Sequence, residues 1–382
     1  MKDVISFIRE QFNEKEAFIP LHAPVFIGNE KAYLTECIDS TFVSSVGKFV
    51  DEFEAKISAY TGAGHAVAVV NGTSGLHIAL HVLEVGPDDL VITQPLTFVA
   101  TCNAIAYTGA APIFVDVDED TMGLSPNALK IFLETECALV NGVCQHQATG
   151  KAVKACVPMH TFGFPCRIQE IVTICEAWNI PVVEDAAESL GSSIGTQHTG
   201  TFGTLGVFSF NGNKIATAGG GGAVITNDEA LAKRIKHLTT TAKQPHKWAY
   251  RHEEVGFNYR MPNVNAALAV AQLESLPQFL ENKRALASQY KAFFEGQSIN
   301  FVWEQEGTRA NFWLNTVLLK DAEEKEAFLE ATNNQGVMTR PIWDLMNSLP
   351  QYANSIVGDL TVATDLASRV VNIPSSVRLK LV

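Results

Sequence analysis

The chain has 382 residues, 47% of them hydrophobic, which is enough to bury the core of one large domain or of a large and a small one. Its 41 acidic residues outnumber its 28 basic residues, and the net charge of −13 argues against nucleic acid or an anionic membrane as a partner. No apolar run approaches the length of a membrane span, and the seven cysteines are scattered without a C-x-x-C pair. We therefore expect a cytoplasmic protein with reduced thiols and no metal site.

Short apolar runs recur along the chain, and helical patterns separate them. The runs are apolar throughout, which is typical of strands that are covered on both faces. They predict an α/β fold with a mostly parallel central sheet and helices on both faces, whose ligands bind at the carboxyl ends of the strands. The predicted strands are residues 66–70, 90–93, 112–115, 155–159, 181–184, 206–210 and 223–226.

The pattern changes after Met261, where a long helical stretch leads into mixed structure. We read this part as a second, smaller α/β domain. The predicted division is a large domain with an N-terminal arm over residues 1–250 and a C-terminal domain over residues 251–382.

Polar or aromatic residues follow three of the predicted strands. The turn at residues 71–75, NGTSG, offers backbone N–H groups and hydroxyls to a phosphate, or it is an ordinary helix cap. Phe98 stacks on a flat ring or belongs to the core. Asp185 ends a buried strand, where a carboxylate needs compensation. It is a helix N-cap, a member of a buried ion pair, or the partner of the protonated pyridine nitrogen of pyridoxal 5′-phosphate (PLP).

Lys214 lies in the stretch SFNGNKIATAGGGG, five residues before four glycines. A P-loop has the opposite order, with the glycines first, because the loop wraps the phosphates before its helix begins. A lysine between two buried strands suits a flat organic cofactor better than a triphosphate. His77 and His81 have a spacing that zinc ligands use, but no third candidate lies near them in the sequence, so we favour side chains that face solvent or take part in packing.

Six motifs stand in one order along the chain: GTSG, PLTFVAT, MHTFGFP, EDAAES, SFNGNK and GFNYRMPNVNAAL. In this the chain resembles the DegT/DnrJ/EryC1/StrS family of PLP-dependent sugar aminotransferases over residues 20–374. The likeness is greatest to the subgroup that aminates nucleotide-linked 4-keto-6-deoxy sugars for legionaminic acid or bacillosamine. It implies PLP fold type I, the aspartate aminotransferase-like fold, in a homodimer with shared active sites.

The resemblance also implies roles for single residues. Lys214 becomes the lysine that binds PLP covalently, and Asp185 the partner of the pyridine nitrogen. Glu188 occupies a position beside the oxygen on the cofactor ring, and many relatives have Gln or His at this position. His160 is interpreted either as a contact of Asp185 or as a core histidine whose hydrogen bonds are satisfied. The remaining implied cofactor contacts are Phe98 on the ring, Thr73, Ser74 and Ser209 on the phosphate, and Asn258 on the phosphate of the neighbouring subunit.

The implied reaction passes an amino group from L-glutamate through PLP and its amino form, PMP, to C4 of a nucleotide-linked keto sugar. We expect UDP-2-acetamido-2,6-dideoxy-hexos-4-ulose, and the alternatives are a GDP-linked or C3-keto sugar, another fold type I PLP enzyme, or a non-catalytic nucleotide-binding module. Two groups of residues are predicted to bind the sugar nucleotide. One lies near the mouth of the site and consists of Ser44, Ser45 and Gly47. The other is the basic cluster Lys243, His246, Lys247 and Arg251, for which the alternative interpretation is a charged surface that contacts only solvent.

Overall fold

The computed structural model describes residues 2–44 and 46–378. Two short 3₁₀ segments, Thr161–Gly163 and Met346–Ser348, lie in loops. The α-helices are α1 (Lys2–Gln11), α2 (Glu30–Asp39), α3 (Lys48–Thr61), α4 (Gly72–Val82), α5 (Val99–Tyr107), α6 (Pro126–Glu136), α7 (Ile168–Ala177), α8 (Glu229–Thr239), α9 (Asn263–Phe294), α10 (Ala322–Asn334) and α11 (Thr361–Arg369).

Every strand predicted from the sequence is a strand of the structure, and residues 90–93 agree to the residue. The strands are β1 (His65–Val69), β2 (Leu90–Thr93), β3 (Ala111–Phe114), β4 (Cys137–Val140), β5 (Val143–His146), β6 (Val153–Val157), β7 (Val183–Asp185), β8 (Ser193–Ile194), β9 (Gln197–His198), β10 (Leu205–Ser209), β11 (Gly222–Thr226), β12 (Asn300–Phe301), β13 (Thr308–Arg309), β14 (Asn315–Leu318), β15 (Arg340–Pro341), β16 (Ile356–Val357) and β17 (Val370–Ile373).

The central sheet is mostly parallel, as predicted. Its strands follow the order β1-β11-β10-β7 and then β6-β2-β3-β16, and two parallel bridges, Cys156 to Val182 and Met159 to Asp185, join the halves. Only β11 runs antiparallel to its neighbours among these strands. The carboxyl ends of the parallel strands therefore meet at one edge, where ligands of α/β sheets bind.

Both faces of this sheet are covered, which explains the uniformly apolar strands. Along β2, Val91 joins a core cluster with residues of α4, α5 and α8, whereas Leu90 and Ile92 join a cluster with residues of α6 and α7. Neighbouring residues of a strand point to opposite faces, so each face has its own layer of helices.

The C-terminal part of the chain forms a second sheet of order β12-β14-β17-β15. It packs with α9 and α10, and α1 contributes Val4, Ile5 and Ile8 to the same core. The sequence analysis placed the N-terminal segment with the large domain, but α1 packs here because its apolar face meets Tyr290 and Phe328. Conversely, β16 extends the large sheet. The domain boundary at residue 250 stays a prediction.

Each of the seven cysteines is free and buried. None of the helices within residues 2–44 and 46–378 combines the length and the apolar character needed to cross a bilayer.

Candidate active site

Lys214 lies in the connection between β10 and β11, and its side chain enters a cavity of about 310 Å³. The strand ends, the start of α4 and two tryptophans of the C-terminal part surround this cavity. Its lining comprises Asn71, Gly72, Thr73, Leu76, Phe98, Ala100, Met159, Asp185, Ala187, Glu188, Ser209, Asn211, Asn213, Lys214, Trp313 and Trp343. The structure thus brings together six of the predicted cofactor contacts: Thr73, Phe98, Asp185, Glu188, Ser209 and Lys214.

Two buried carboxylates face this lysine. Asp185, only 3% exposed, accepts hydrogen bonds from Thr101 Oγ1 at 2.7 Å and from the backbone N–H of Ala187 at 3.2 Å. Glu188, only 2% exposed, accepts from Lys214 Nζ at 3.0 Å and from the backbone N–H of Phe162 at 2.9 Å. Each carboxylate is therefore held in place by at least two donors.

Burial raises the pKa of both carboxyl groups above the ordinary range, and the charge of Lys214 opposes that shift at each of them. Lys214 forms its ion pair with Glu188, so no direct cationic partner faces Asp185 among the described residues. A buried carboxylate of this kind fits a cationic ligand atom such as a protonated pyridine nitrogen.

The start of α4 closes another side of the cavity. Asn71 Oδ1 caps the helix by accepting from the backbone N–H of Ser74 at 2.8 Å. At Gly72 a Cβ atom would lie 3.0 Å from Cβ of Ser209, so glycine allows the helix and β10 to approach closely here. Helix N–H groups and the hydroxyls of Thr73 and Ser209 form a donor set that suits a phosphate. Ser74 is not in the cavity lining.

Aromatic rings form the remaining wall. Lys214 Nζ lies 4.0 Å from the centroid of the Trp313 ring. The Trp343 ring centroid is 6.1 Å from that of Phe98 and 5.0 Å from that of Phe162. Phe98 is 48% exposed, so its ring is available to a ligand. Such a wall suits a flat heterocycle.

Among the predicted sugar-nucleotide contacts, those that the structure describes do not line this cavity. Ser44 is exposed, Gly47 is partly buried, and Ser45 is outside the described residues. Gly47 has a packing reason, because a Cβ atom there would come within 2.2 Å of the Asn263 side chain. The basic cluster, with Lys243, His246, Lys247 and Arg251, is fully on the surface.

Asn258 is also exposed and lies outside the lining of the cavity. Its segment runs beside the end of β1, since Arg260 bridges Val69 and the carbonyl of Tyr259 accepts from the backbone N–H of Val70 at 2.7 Å. The segment therefore borders the turn that begins α4. A contact of Asn258 with a neighbouring subunit stays a prediction.

Three histidines are placed by their packing. His160 Nε2 lies 2.9 Å from Glu184 Oε2, so its ring bonds the neighbour of Asp185, and only the backbones of His160 and Asp185 hydrogen-bond each other. His77 is buried against Phe257, which agrees with the packing interpretation of His77 and His81. A different group, His237, Glu253 and Glu254, is the one among the described residues with metal-ligand spacing, but Arg234 already pairs with Glu254.

The sequence analysis did not single out several residues of the site. Thr101 belongs to the quoted motif PLTFVAT, three residues after Phe98. It therefore lies on the first turn of α5, from where its hydroxyl bonds Asp185 at the end of β7. Trp313 and Trp343 come from the C-terminal part, and nothing in their local sequence distinguishes them from core aromatic residues. Asn213 directly precedes Lys214, and its residue type gave no reason to assign it a role.

Residues 26–381 match the model of the DegT/DnrJ/EryC1/StrS aminotransferase family. The chain belongs to this family. GDP-perosamine synthase of Escherichia coli O157:H7 is 36% identical to it, and the match covers 94% of this chain and 93% of the relative. GDP-perosamine synthase of Caulobacter vibrioides is 34% identical, with coverage of 94% and 93%. The crystal structure of the aminotransferase TlmJ from Streptoalloteichus hindustanus is similar with a TM-score of 0.85 at 27% identity, covering 93% of each chain.

Family membership makes the chain a PLP-dependent nucleotide-sugar aminotransferase with fold type I. The predicted enzyme class with its cofactor and the predicted fold are therefore confirmed. The cavity around Lys214 fits this cofactor. It offers an amine, a buried carboxylate without a direct cationic partner, exposed aromatic surface and a helix N-terminus with hydroxyls.

Proposed function

We propose that this enzyme transfers the amino group of L-glutamate to C4 of a nucleotide-linked 4-keto-6-deoxy sugar in the cytoplasm. The favoured acceptor is UDP-2-acetamido-2,6-dideoxy-hexos-4-ulose, whose amino product serves legionaminic acid or bacillosamine-type glycan synthesis. The observation that carries this proposal is the placement of the Lys214 amine between the Glu188 carboxylate and the Trp313 ring, at 3.0 Å and 4.0 Å, in a cavity that also contains Asp185.

PLP, when bound, supplies the electron sink that stabilises negative charge on the reacting carbon. Lys214 then takes a proton from Cα of the amino donor, and in the second half of the reaction it delivers a proton to C4 of the sugar. Lys214 is the only lysine that lines the cavity among the described residues. Its amine needs a fixed direction for both transfers, and Glu188 Oε1 and the Trp313 ring provide it.

Asp185 has the role of keeping a positive charge on the pyridine nitrogen. Thr101 and Ala187 donate to its two oxygens, which fixes the plane of the carboxylate. Thr73 and Ser209, together with the start of α4, are assigned to the phosphate, and Phe98 to a face of the ring. These assignments are proposals that rest on the geometry of the cavity and on the family resemblance.

We further propose a homodimer in which Asn258 and the basic cluster of one subunit face the Lys214 site of the other. This is supported by their exposure and by the absence of all five residues from the cavity lining of their own chain, within residues 2–44 and 46–378. In an acidic protein, a concentration of basic side chains suits a diphosphate.

A GDP-linked acceptor is the second candidate. The relatives of 36% and 34% identity from E. coli and C. vibrioides are both named GDP-perosamine synthase, so the nucleotide is open. An acceptor with the keto group at C3 is the third alternative.

A panel of UDP- and GDP-linked keto sugars tests the proposal. The holoenzyme is incubated with L-glutamate and each sugar, and mass spectrometry records the amino product while NMR assigns the aminated carbon. We expect the UDP-linked 4-keto sugar to react with the highest kcat/KM. Preference for the GDP-linked sugar would replace the substrate assignment, and a lack of reaction with every keto sugar would overturn the proposed function.

A further inference from the structure

A second cavity, of about 620 Å³, adjoins the Lys214 cavity. The two share Phe98, Asn213, Trp313 and Trp343 in their linings. The volume of the second cavity lies in the range typical of pockets for small-molecule ligands. A substrate whose reacting atoms lie beside Lys214 can therefore extend past the shared side chains into the second cavity.

One wall of the second cavity is a face of the C-terminal sheet. Arg340 of β15 and Asn372 of β17 lie directly opposite each other in an antiparallel pair, so their side chains project from the same face. Met338, two residues before Arg340, lines the cavity from this face as well. The backbone of Arg340 is therefore held by a paired strand and not by an unpaired loop.

The guanidinium of Arg340 is anchored, but it has no anionic partner within residues 2–44 and 46–378. The side chain is exposed, and its Nη1 donates to Asn333 Oδ1 at 3.0 Å and to the carbonyl of Thr339 at 2.9 Å. By contrast, Arg284 of the same part of the chain forms two bonds of 2.7 Å with the carboxylate of Glu304. The Nε and Nη2 groups of Arg340 thus remain for an anion from outside the chain.

Asn372 places an amide beside this guanidinium. The residue is only 3% exposed, and its Oδ1 accepts from Thr316 Oγ1 at 2.9 Å. No described residue accepts from its NH2 group, whose nitrogen keeps access to the cavity that Asn372 lines. Buried polar groups are paired in the large majority of cases, so an amide N–H that opens onto a cavity suits an accepting atom of a ligand.

The charges of the two linings favour a singly charged anion at Arg340. Lys214, the other lysine or arginine of these linings, is already paired with Glu188. Asp344 lies in the same lining as Arg340, and it would repel the charges of a diphosphate more strongly than the single charge of a carboxylate. A carboxylate is also planar, which suits bonding to a guanidinium.

The position of Arg340 distinguishes the two carboxylates of an acidic amino donor. The α-carboxylate is attached to the reacting carbon, so it stays beside Lys214, in a cavity that Arg340 does not line. The side-chain carboxylate lies farther out along the molecule, and past Asn213 and Trp313 it can enter the cavity that contains Arg340. The side-chain carboxylate therefore fits the guanidinium better than the α-carboxylate does.

We propose that Arg340, together with the amide of Asn372, binds the side-chain carboxylate of the amino donor and so makes the first half of the reaction selective for L-glutamate. The guanidinium and the amide N–H donate, and the carboxylate oxygens accept. This inference rests on the proposed function, which names L-glutamate as the donor. Donors with an uncharged side chain, such as L-glutamine and L-alanine, lack this ion pair.

Separate measurement of the two half-reactions tests the inference. Arg340→Gln removes the charge, Arg340→Lys keeps it, and Arg309→Gln changes an exposed arginine of the same part of the chain that lines neither cavity. Stopped-flow absorbance gives the second-order rate constant of the PLP form with L-glutamate, L-glutamine and L-alanine, and of the PMP form with the keto sugar. Quenching of tryptophan fluorescence by glutarate, a dicarboxylate without an amine, gives a dissociation constant that does not depend on turnover.

We expect Arg340→Gln to slow the reaction with L-glutamate and to weaken glutarate binding by about tenfold or more, the value of a hydrogen bond to a charged group, and to leave the other donors and the sugar within about twofold. Arg340→Lys should recover part of the loss, and Arg309→Gln should show none.

An equal loss with all donors, no loss with L-glutamate, or a wild type that does not prefer L-glutamate to L-glutamine would each overturn the inference. A loss confined to the sugar would overturn it as well and assign the guanidinium to the diphosphate. If the wild-type enzyme reacts with L-glutamate but aminates no keto sugar, the proposed function fails, and the donor site is still judged from the first half-reaction.

Discussion

The indole of Trp313 contacts the Lys214 amine and also bonds the backbone of the residue before it. The Nζ atom lies 4.0 Å from the centroid of the indole ring, and the indole N–H donates to the carbonyl of Asn213, the residue before the lysine, at 2.7 Å. The backbone of Trp313 is held in turn, because its carbonyl accepts from Nζ of the buried Lys283 at 3.1 Å. One residue of the C-terminal part thus sets the position of the amine in the large sheet's site.

Replacement of Trp313 should separate these two contacts. Trp313→Phe keeps an aromatic face for the ammonium but loses the N–H bond, and Trp313→Leu loses both. A cation–π contact contributes about 0.5–2 kcal/mol, so we expect kcat to fall by about 2- to 30-fold more in the leucine variant than in the phenylalanine variant. Steady-state kinetics over a pH series measures this.

If Trp313 had only a structural role, Tm and kcat would fall together in both variants, and the shape of the pH profile of kcat would stay unchanged. Trp303→Leu, which changes a partly buried tryptophan of the same part of the chain, is the control. If that control reduces kcat as strongly as Trp313→Leu does, Trp313 has no special connection with the lysine.

Lys214→Ala should remove covalent attachment of the cofactor. Wild-type protein is expected to be yellow, and borohydride reduction followed by mass spectrometry should find the modification on the peptide that contains Lys214. In the variant that modified peptide should be missing, and kcat should fall by at least about 10²-fold because the acid–base group is lost. A modified lysine elsewhere in the variant would reject the assignment.

Asp185→Asn should reduce activity and stabilise the cofactor-free protein. Burial raises the pKa of the Asp185 carboxyl, so the folded state binds more protons than the unfolded state. The contribution of this group to stability is therefore present at low pH and is lost as the pH rises through the raised pKa. Asparagine does not titrate, so the variant should have the higher Tm at neutral pH.

Thermal unfolding of both cofactor-free proteins over a pH series measures this effect. The difference in Tm should shrink toward about pH 4, the ordinary range of an aspartate pKa. With PLP and substrates, we expect kcat of Asp185→Asn to be lower by at least about 10²-fold, because an amide does not hold a positive charge on the pyridine nitrogen. Near-normal turnover, or a variant that is less stable at neutral pH, would count against this account of Asp185.

Hybrid dimers test the proposed contact of Asn258 with the neighbouring subunit. Asn258→Asp places a negative charge beside the phosphate and should weaken PLP binding, and Lys214→Ala stops the chemistry in another way. In a mixed dimer one site would combine the intact lysine of one chain with the intact asparagine of the other. With random pairing, activity after co-expression should recover to roughly a quarter of wild type.

Each variant must be nearly inactive alone and must still form dimers, which size-exclusion chromatography and native mass spectrometry establish. Lys236→Ala, which removes an ion pair with Glu54, replaces Asn258→Asp in a control co-expression with Lys214→Ala. Hybrids of confirmed composition that stay inactive would assign Asn258 to its own subunit's site or to none.

The central sheet and the chemical centre of the site could be predicted from the sequence because both depend on local patterns. Uniformly apolar runs of strand length report burial on both faces, and the observed strands lie within two residues of the predicted ones. Asp185 stands out because a charged residue at the end of a buried strand needs a partner, and Lys214 because it lies between two buried strands. Their relation to each other follows from strand order, since the carboxyl ends of parallel strands meet at one edge.

What the tertiary structure alone decided is which distant residues complete that centre. Trp313 contacts a lysine 99 positions earlier in the chain, and Thr101 bonds an aspartate 84 positions later. Likewise, α1 packs on the C-terminal sheet and not on the large one. Periodicity shows that a side chain is buried but not what it is buried against, because that choice depends on the fit of surfaces that are far apart in sequence.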